Sequence, residues 1–194
     1  MAVPDPDVLL ERGWFAPEEA DRLYAALLQE LPWSVHRIRM FGRWVDSPRL
    51  SCWLGDPGTD YAYSGGRFEP MAWPPVLKEL RERLVVELGA PFNSALANLY
   101  RNGNDYVGWH RDNERELGPH PFIASISLGA TRRFVLRAND DPKRQQEWSL
   151  EHGDLLVMAG STQQHWKHAL PKSAKVREPR INLTFRVVRP GLPG

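Results

Sequence analysis

His110, Asp112 and His168 are the residues whose types and spacing could hold a metal. In an extended strand alternate side chains share a face, so Trp109-His110-Arg111-Asp112 would turn its histidine and its carboxylate the same way. A third ligand must come from elsewhere, and His168, in Trp166-Lys167-His168, can supply it. Two histidines and one carboxylate suit non-haem Fe(II) and leave positions open for a cosubstrate and dioxygen. Arg180 and Arg186 bear on what that cosubstrate is. Their even spacing puts them on one face of a strand with Cα atoms about 20 Å apart, where two long cations could bracket a small dicarboxylate. Taken alone, a His-x-Asp triplet ordinarily means a surface or hydrogen-bonded histidine.

These residues need elements to position them. Asn98 and Tyr100 place an amide and a phenol on one face of a strand ahead of the His-x-Asp segment. The last strand alternates, with Ile181, Leu183, Phe185 and Val187 on one side and Arg180, Asn182, Thr184 and Arg186 on the other. Such alternation usually means core and solvent, so the polar stripe would ordinarily face water. His165, an odd number of residues before His168, would lie on the opposite face of a strand. Further strands are expected at Ser94 to Arg101, Phe122 to Leu128, Arg133 to Arg137, Trp148 to Leu150, Asp154 to Met158 and Ile181 to Val188. Many short strands separated by turn clusters predict a jelly roll, and sheet folds bring distant strands together.

The N-terminal part reads differently. Met1 to Trp14 is Pro- and Asp-rich, with Trp14-Phe15 anchoring the entry to a helix. Pro17, Glu18 and Glu19 open that helix, Ala20, Leu23, Tyr24, Leu27, Leu28 and Leu31 recur at helical spacing, and Pro32 stops it. Trp33 to Leu54 is strand-like, and Met40-Phe41-Gly42-Arg43 could be a hairpin tip. The residues alone favour a plain surface hairpin with Phe41 packed inward. Gly55 to Gly66 reads as a loop whose Tyr61 and Tyr63 could form an aromatic wall. A second helix runs from the Trp73-Pro74-Pro75 opening to Leu88, with Gly89 as its C-cap.

With 194 residues, 42% of them hydrophobic, one domain can be well filled. We expect a single domain, residues 1–194, of α+β and mainly β class. Residues 1–90 would carry the helices and a substrate-binding hairpin or lid, and 91–189 a double-stranded β-helix. Lys and Arg total 25 against 24 Asp and Glu, so no global field draws the chain to polyanions; local patches such as Lys172, Lys175 and Arg177 would have to serve. The single Cys52 excludes an intramolecular disulfide and any cysteine-cluster metal site. No run of about 18 apolar residues occurs. A monomeric intracellular protein without membrane partners is expected.

Several motifs taken together carry a resemblance: Asn98-Leu99-Tyr100, His110-Arg111-Asp112-Asn113-Glu114, Ser125-Ile126-Ser127-Leu128-Gly129, His152-Gly153-Asp154-Leu155, Trp166-Lys167-His168-Ala169-Leu170-Pro171 and Pro179-Arg180-Ile181-Asn182-Leu183-Thr184-Phe185-Arg186. The chain resembles the AlkB family of Fe(II)- and 2-oxoglutarate-dependent dioxygenases from about Leu10 to Val188, and most of all its DNA-repair members. The resemblance implies iron ligands at His110, Asp112 and His168. It implies that Arg180, with Tyr100 and Thr184, binds the distal carboxylate of 2-oxoglutarate, while Asn98 and Arg186 hold the end that chelates iron. Guanidinium groups suit that task because each can grip a carboxylate through two N–H donors. It also reverses the hairpin reading: Phe41, Gly42 and Arg43 match a wedge that enters the base stack. Tyr61 and Tyr63 would line a flipped-base pocket opposite His110. Where relatives often have two carboxylates after the iron-binding Asp, this chain has Asn113 and Glu114, so only Glu114 could lend charge to a cationic base. The implied substrate is DNA bearing 1-methyladenine or 3-methylcytosine, single- or double-stranded. RNA or a protein side chain under the same chemistry, or damage binding without catalysis, are the alternatives.

Overall fold

The alternation of the last strand organises the molecule, because both of its faces are buried. The computed structural model describes residues 3–40, 42–63 and 66–189, without the side chains of 38–40, 61–63 and 66–68. In chain order the elements are β1 (Asp7–Glu11), α1 (Pro17–Glu30), β2 (Ser34–Met40), β3 (Arg43–Gly55), β4 (Tyr61–Tyr63), β5 (Gly66–Phe68), α2 (Pro75–Leu88), β6 (Ser94–Tyr100) and β7 (Val107–His110). They continue as β8 (Ile123–Gly129), β9 (Arg132–Ala138), β10 (Gln145–Leu150), β11 (Leu155–Ala159), α3 (Thr162–His165), β12 (Trp166–Leu170) and β13 (Arg180–Arg186).

A seven-stranded sheet in the order β1-β11-β8-β13-β6-β3-β2 faces a four-stranded sheet in the order β10-β9-β12-β7. α1 and α2 cover the outer face of the larger sheet. Leu23 and Leu27 of α1 and Leu77, Leu80 and Leu84 of α2 share one core with Ile181, Leu183 and Phe185 of β13 and Ala124, Ile126 and Leu128 of β8. A second core lies between the sheets at the far end, from Ile123, Leu156 and Met158 to Phe134, Leu136, Leu150 and Trp166. This is the expected double-stranded β-helix.

α1 and α2 begin and end where the residues predict: prolines open each, and Gly89 closes α2 in the left-handed region. Trp14 and Phe15 are buried, with the Arg83 guanidinium 3.8 Å over the Trp14 ring. Two stretches differ from the sequence reading. The Pro- and Asp-rich N-terminus contains β1, which pairs along its whole length with β11 and half-buries only alternate residues, Val8 and Leu10. The expected loop after Gly55 contains β4, paired with β5. Strands this short carry too few side chains for a period to show.

The predicted hairpin is formed by β2 and β3. β3 pairs with β6 only from Leu50 to Gly55, whereas Arg43 to Asp46 pair with β2 alone. The ribbon therefore overhangs the sheet, with Trp44 and Val45 exposed.

Candidate active site

The metal-ligand set assembles by strand pairing. β12 and β7 are antiparallel neighbours, and His168 lies directly opposite His110 in their register. The ring centroids are 4.2 Å apart. Asp112 arrives by another route. β7 ends at His110, so Asp112 is not on the strand, and strand alternation is not what turns it inward. Its N–H donates to Gln163 Oε1 at 2.9 Å, and its Oδ2 accepts from Arg186 Nε at 3.1 Å and Nη2 at 2.8 Å. That leaves Oδ1 facing His110, 3.8 Å from Nε2. One ligand atom from each of His110, Asp112 and His168 lies within 4.8 Å of the others. His165, expected on the back of a strand, is in α3 instead.

Tautomer and charge favour ligation. His110 Nδ1 is 2.9 Å from the Gly108 carbonyl oxygen, so this nitrogen carries the proton and Nε2 keeps its lone pair for a metal. Burial pushes His168 down to about 3, helped by the neighbouring His110 and Arg186 and opposed by Asp112. Burial lowers His110 as well. Burial alone would raise Asp112, but Arg186 and the two histidines overcome it and hold the carboxyl well below the usual carboxylate range. Both imidazoles are thus neutral and the carboxyl ionised at neutral pH, the state that metal ligation needs.

The polar face of β13 forms the other wall of a narrow cleft that is also lined by His110, Asp112 and His168. Arg180, Asn182, Thr184 and Arg186 are all buried, so the stripe does not face solvent. Register places Asn98 of β6 and Ser127 of β8 on either side of Asn182, and Tyr100 opposite Arg180. Arg180 Nη2 donates to Ser127 Oγ at 2.8 Å, while its buried Nε has no hydrogen-bond partner among the described residues. Its guanidinium lies 5.4 Å over the Tyr100 ring, and Arg132 lies 5.6 Å from the same ring. Burial pushes Arg180 down to about 10, with Tyr100 opposing and Arg132 adding to the shift. It remains a cation at neutral pH. A buried cation is costly unless an anion meets it, and no described carboxylate pairs with Arg180. The ligand triangle fits iron, and the cation at the other end of the cleft fits the distal carboxylate of 2-oxoglutarate.

Other expected residues fall into place unevenly. Asn98 Oδ1 accepts from Arg49 Nε at 2.7 Å, and both line the cleft. The Thr184 hydroxyl donates to Asn182 Oδ1 at 3.0 Å, so within the chain it orients Asn182. Arg186 grips Asp112, a contact that the sequence reading did not anticipate. Gly42 has φ 77°, which a two-residue turn between β2 and β3 requires of a glycine, and Arg43 is exposed beside it. Phe41 lies outside the described residues, as do the side chains of Tyr61 and Tyr63. Asn113 is exposed and Glu114 half-buried. Arg49, Gln163, Ser125, Ser127 and Asn182 were not singled out as site residues. Asn182 had a signal in the strand alternation, whereas Arg49 and Gln163 had none.

Comparison with known proteins agrees with this geometry. Residues 7–186 match the 2OG-Fe(II) oxygenase superfamily. The chain is 41% identical over 186 residues to mouse DNA oxidative demethylase ALKBH2, covering 91% of this chain and 78% of that protein. It is 42% identical over 192 residues to human alpha-ketoglutarate-dependent dioxygenase alkB homolog 3, covering 94% of this chain and 66% of that one. A solved structure of OsALKBH1 superposes with a TM-score of 0.68 at 16% identity, over 95% of this chain and 98% of its own, which speaks for the fold. Among the described residues no helix is long and apolar enough to cross a membrane.

Proposed function

The chain belongs to the 2OG-Fe(II) oxygenase superfamily and, within it, to the AlkB family, and from that premise we propose that it is an oxidative demethylase of N-alkylated bases in DNA. One observation carries this reading: a single cleft has a His-Asp-His triangle at one end and, at the other, an Arg180 cation with no carboxylate partner among the described residues. Bound Fe(II) and 2-oxoglutarate supply dioxygen-driven hydroxylation of an N-methyl carbon with decarboxylation of the cosubstrate to succinate, and the hydroxymethyl base sheds formaldehyde.

The chain's own residues supply position and charge. His110, Asp112 and His168 would hold the metal. Arg180, seated by Ser127 and flanked by Tyr100, would bind the distal carboxylate, and its planar donors fix the direction of entry. Asn98, held by Arg49, would meet the chelating end. Arg186 would reach the same end while keeping Asp112 ionised and aimed. Chemistry on a ring nitrogen requires the base to leave the stack, and the overhanging β2–β3 ribbon is an element that can enter a duplex, with Gly42 and Arg43 at its turn; Phe41, which precedes Gly42 in the sequence, would be the wedge. A base with a methyl group on its pairing edge pairs poorly and costs less to extrude. Tyr61 and Tyr63 would stack on it, and a cationic lesion gains from an aromatic face. Asn113 and Glu114 follow the metal-binding carboxylate, and Glu114 would supply the charge that favours such a base.

The test is demethylation of 1-methyladenine and 3-methylcytosine in single- and double-stranded oligonucleotides, with protein loaded with Fe(II) without oxygen and then given 2-oxoglutarate and air. Formaldehyde should appear with wild-type protein and vanish with Asp112→Ala, even where that variant still binds DNA. Activity on RNA alone would move the substrate assignment, and unchanged formaldehyde release by Asp112→Ala would overturn the site.

A further inference from the structure

We propose that Gln163 is a positioning residue for the metal site, acting through Asp112; this rests on the reading of His110, Asp112 and His168 as ligands. Asp112 stands past the end of β7, where no ladder hydrogen bond fixes its backbone. Two side chains do this instead. Arg186 sets the carboxylate through Oδ2, and Gln163 sets the main chain through the 2.9 Å bond from the Asp112 N–H to its Oε1. Gln163 is 1% exposed, and its Nε2 points to Met158 Sδ at 3.4 Å. The amide orientation follows from chemistry: a backbone N–H needs an acceptor, so the oxygen faces Asp112 and the NH2 faces the thioether.

The location of Gln163 adds to the case. It is in α3, which leads without a break into β12, the strand that carries His168. The same turn receives Arg111, whose Nη1 donates to the Gln164 carbonyl oxygen at 3.2 Å. Asn139 Nδ2 donates to that same oxygen at 2.9 Å, tying the turn to the end of β9. One short turn therefore ties the segment bearing Asp112 to the strand bearing His168. Gln163 thus bonds the main chain of a metal-ligand residue as well as filling core. Losing the acceptor would free the Asp112 backbone, and with it the distance from Oδ1 to the two imidazoles. Partners that orient metal ligands typically govern metal affinity by about 10- to 100-fold.

The experiment titrates Mn(II) into the metal-free full chain and compares wild type with Gln163→Met, which keeps volume but removes the acceptor. Asp112→Ala is the reference. Thr162→Val is the structural control, because the Thr162 hydroxyl in the same turn bonds the Asp7 main chain and not the site. Co(II) absorption reports coordination independently of turnover. We expect Gln163→Met to weaken Mn(II) binding about 10- to 100-fold and to change the Co(II) spectrum, while Thr162→Val alters thermal stability and neither metal readout. Wild-type affinity and spectrum in Gln163→Met, or an equal loss in Thr162→Val, would overturn the inference while leaving the metal reading intact. No Mn(II) binding by wild type would overturn both. If Gln163→Met does not fold, hydrogen exchange of the Asp112 amide in wild-type metal-free protein decides: protection supports the bond, and exchange at the rate of an exposed amide refutes it.

Discussion

The two ends of the cleft are built in opposite ways. At the metal end each ligand is held by the protein itself: His110 by the Gly108 carbonyl and by its position opposite His168, and Asp112 by Gln163 and Arg186. At the other end Arg180 has a serine hydroxyl and an aromatic ring beside it but no described carboxylate. The first end is arranged before anything binds. The second carries a charge that no carboxylate among the described residues meets. Binding at the two ends should therefore respond differently to mutation, both in affinity and in the stability of the metal-free chain.

Asp112→Ala should have the largest effect. It removes a ligand and the buried carboxylate that Arg186 grips, so formaldehyde release should disappear and chemical denaturation should show a loss of about 3 kcal/mol. Arg180→Met separates the ends most clearly. Affinity for 2-oxoglutarate should fall about 100-fold, while Mn(II) affinity stays as in wild type. Stability without ligand should hold or rise by about 1 kcal/mol, since a buried cation without an anion has been replaced by an apolar chain of similar size. A large stability loss in Arg180→Met would break the contrast.

Acid should act on the metal end first. In the metal-free chain His168 and His110 bind protons less readily than when unfolded, and so does Asp112. The Asp112 contribution is lost only below about 3.9, its unfolded value; that of the two histidines, whose folded values are depressed too, is fully present above the unfolded histidine value of about 6.5. It is lost as pH falls from there toward 3, the folded value of His168. The slope should be about 1.4 kcal/mol per pH unit for each histidine titrating only in the unfolded chain. Denaturation from about pH 7.5 down to about pH 4 should show it, and His168→Leu should flatten it. Phe41→Ala should have the smallest effect and touch neither end: turnover on duplex falls about 10-fold, less on single strands, with metal and 2-oxoglutarate binding unchanged. Equal losses on both substrates would remove the wedge from the account.

What could be read from the chain alone follows the same division. β13 announced itself, because seven alternating residues are a long enough period to see, and its two arginines, Asn182 and Thr184 came with it. The helices announced themselves through prolines, leucine spacing and Gly89. His110 and His168 were legible as ligand types, but their meeting depends on the β7–β12 register, which is set by distant pairing. For Asp112 the residue was right and the reason was wrong: it points inward because Gln163 and Arg186 hold it, not because a strand alternates. Arg49 and Gln163 left no local trace. Each is defined by one contact to a residue far along the chain, and no window of sequence contains both partners.

The most direct test counts two products at once. Wild-type protein with Fe(II), 2-oxoglutarate and a 1-methyladenine oligonucleotide should release formaldehyde and succinate one for one, and no formaldehyde when the methyl group is absent. Succinate without formaldehyde, from methylated DNA in single- and double-stranded form alike, would contradict the account.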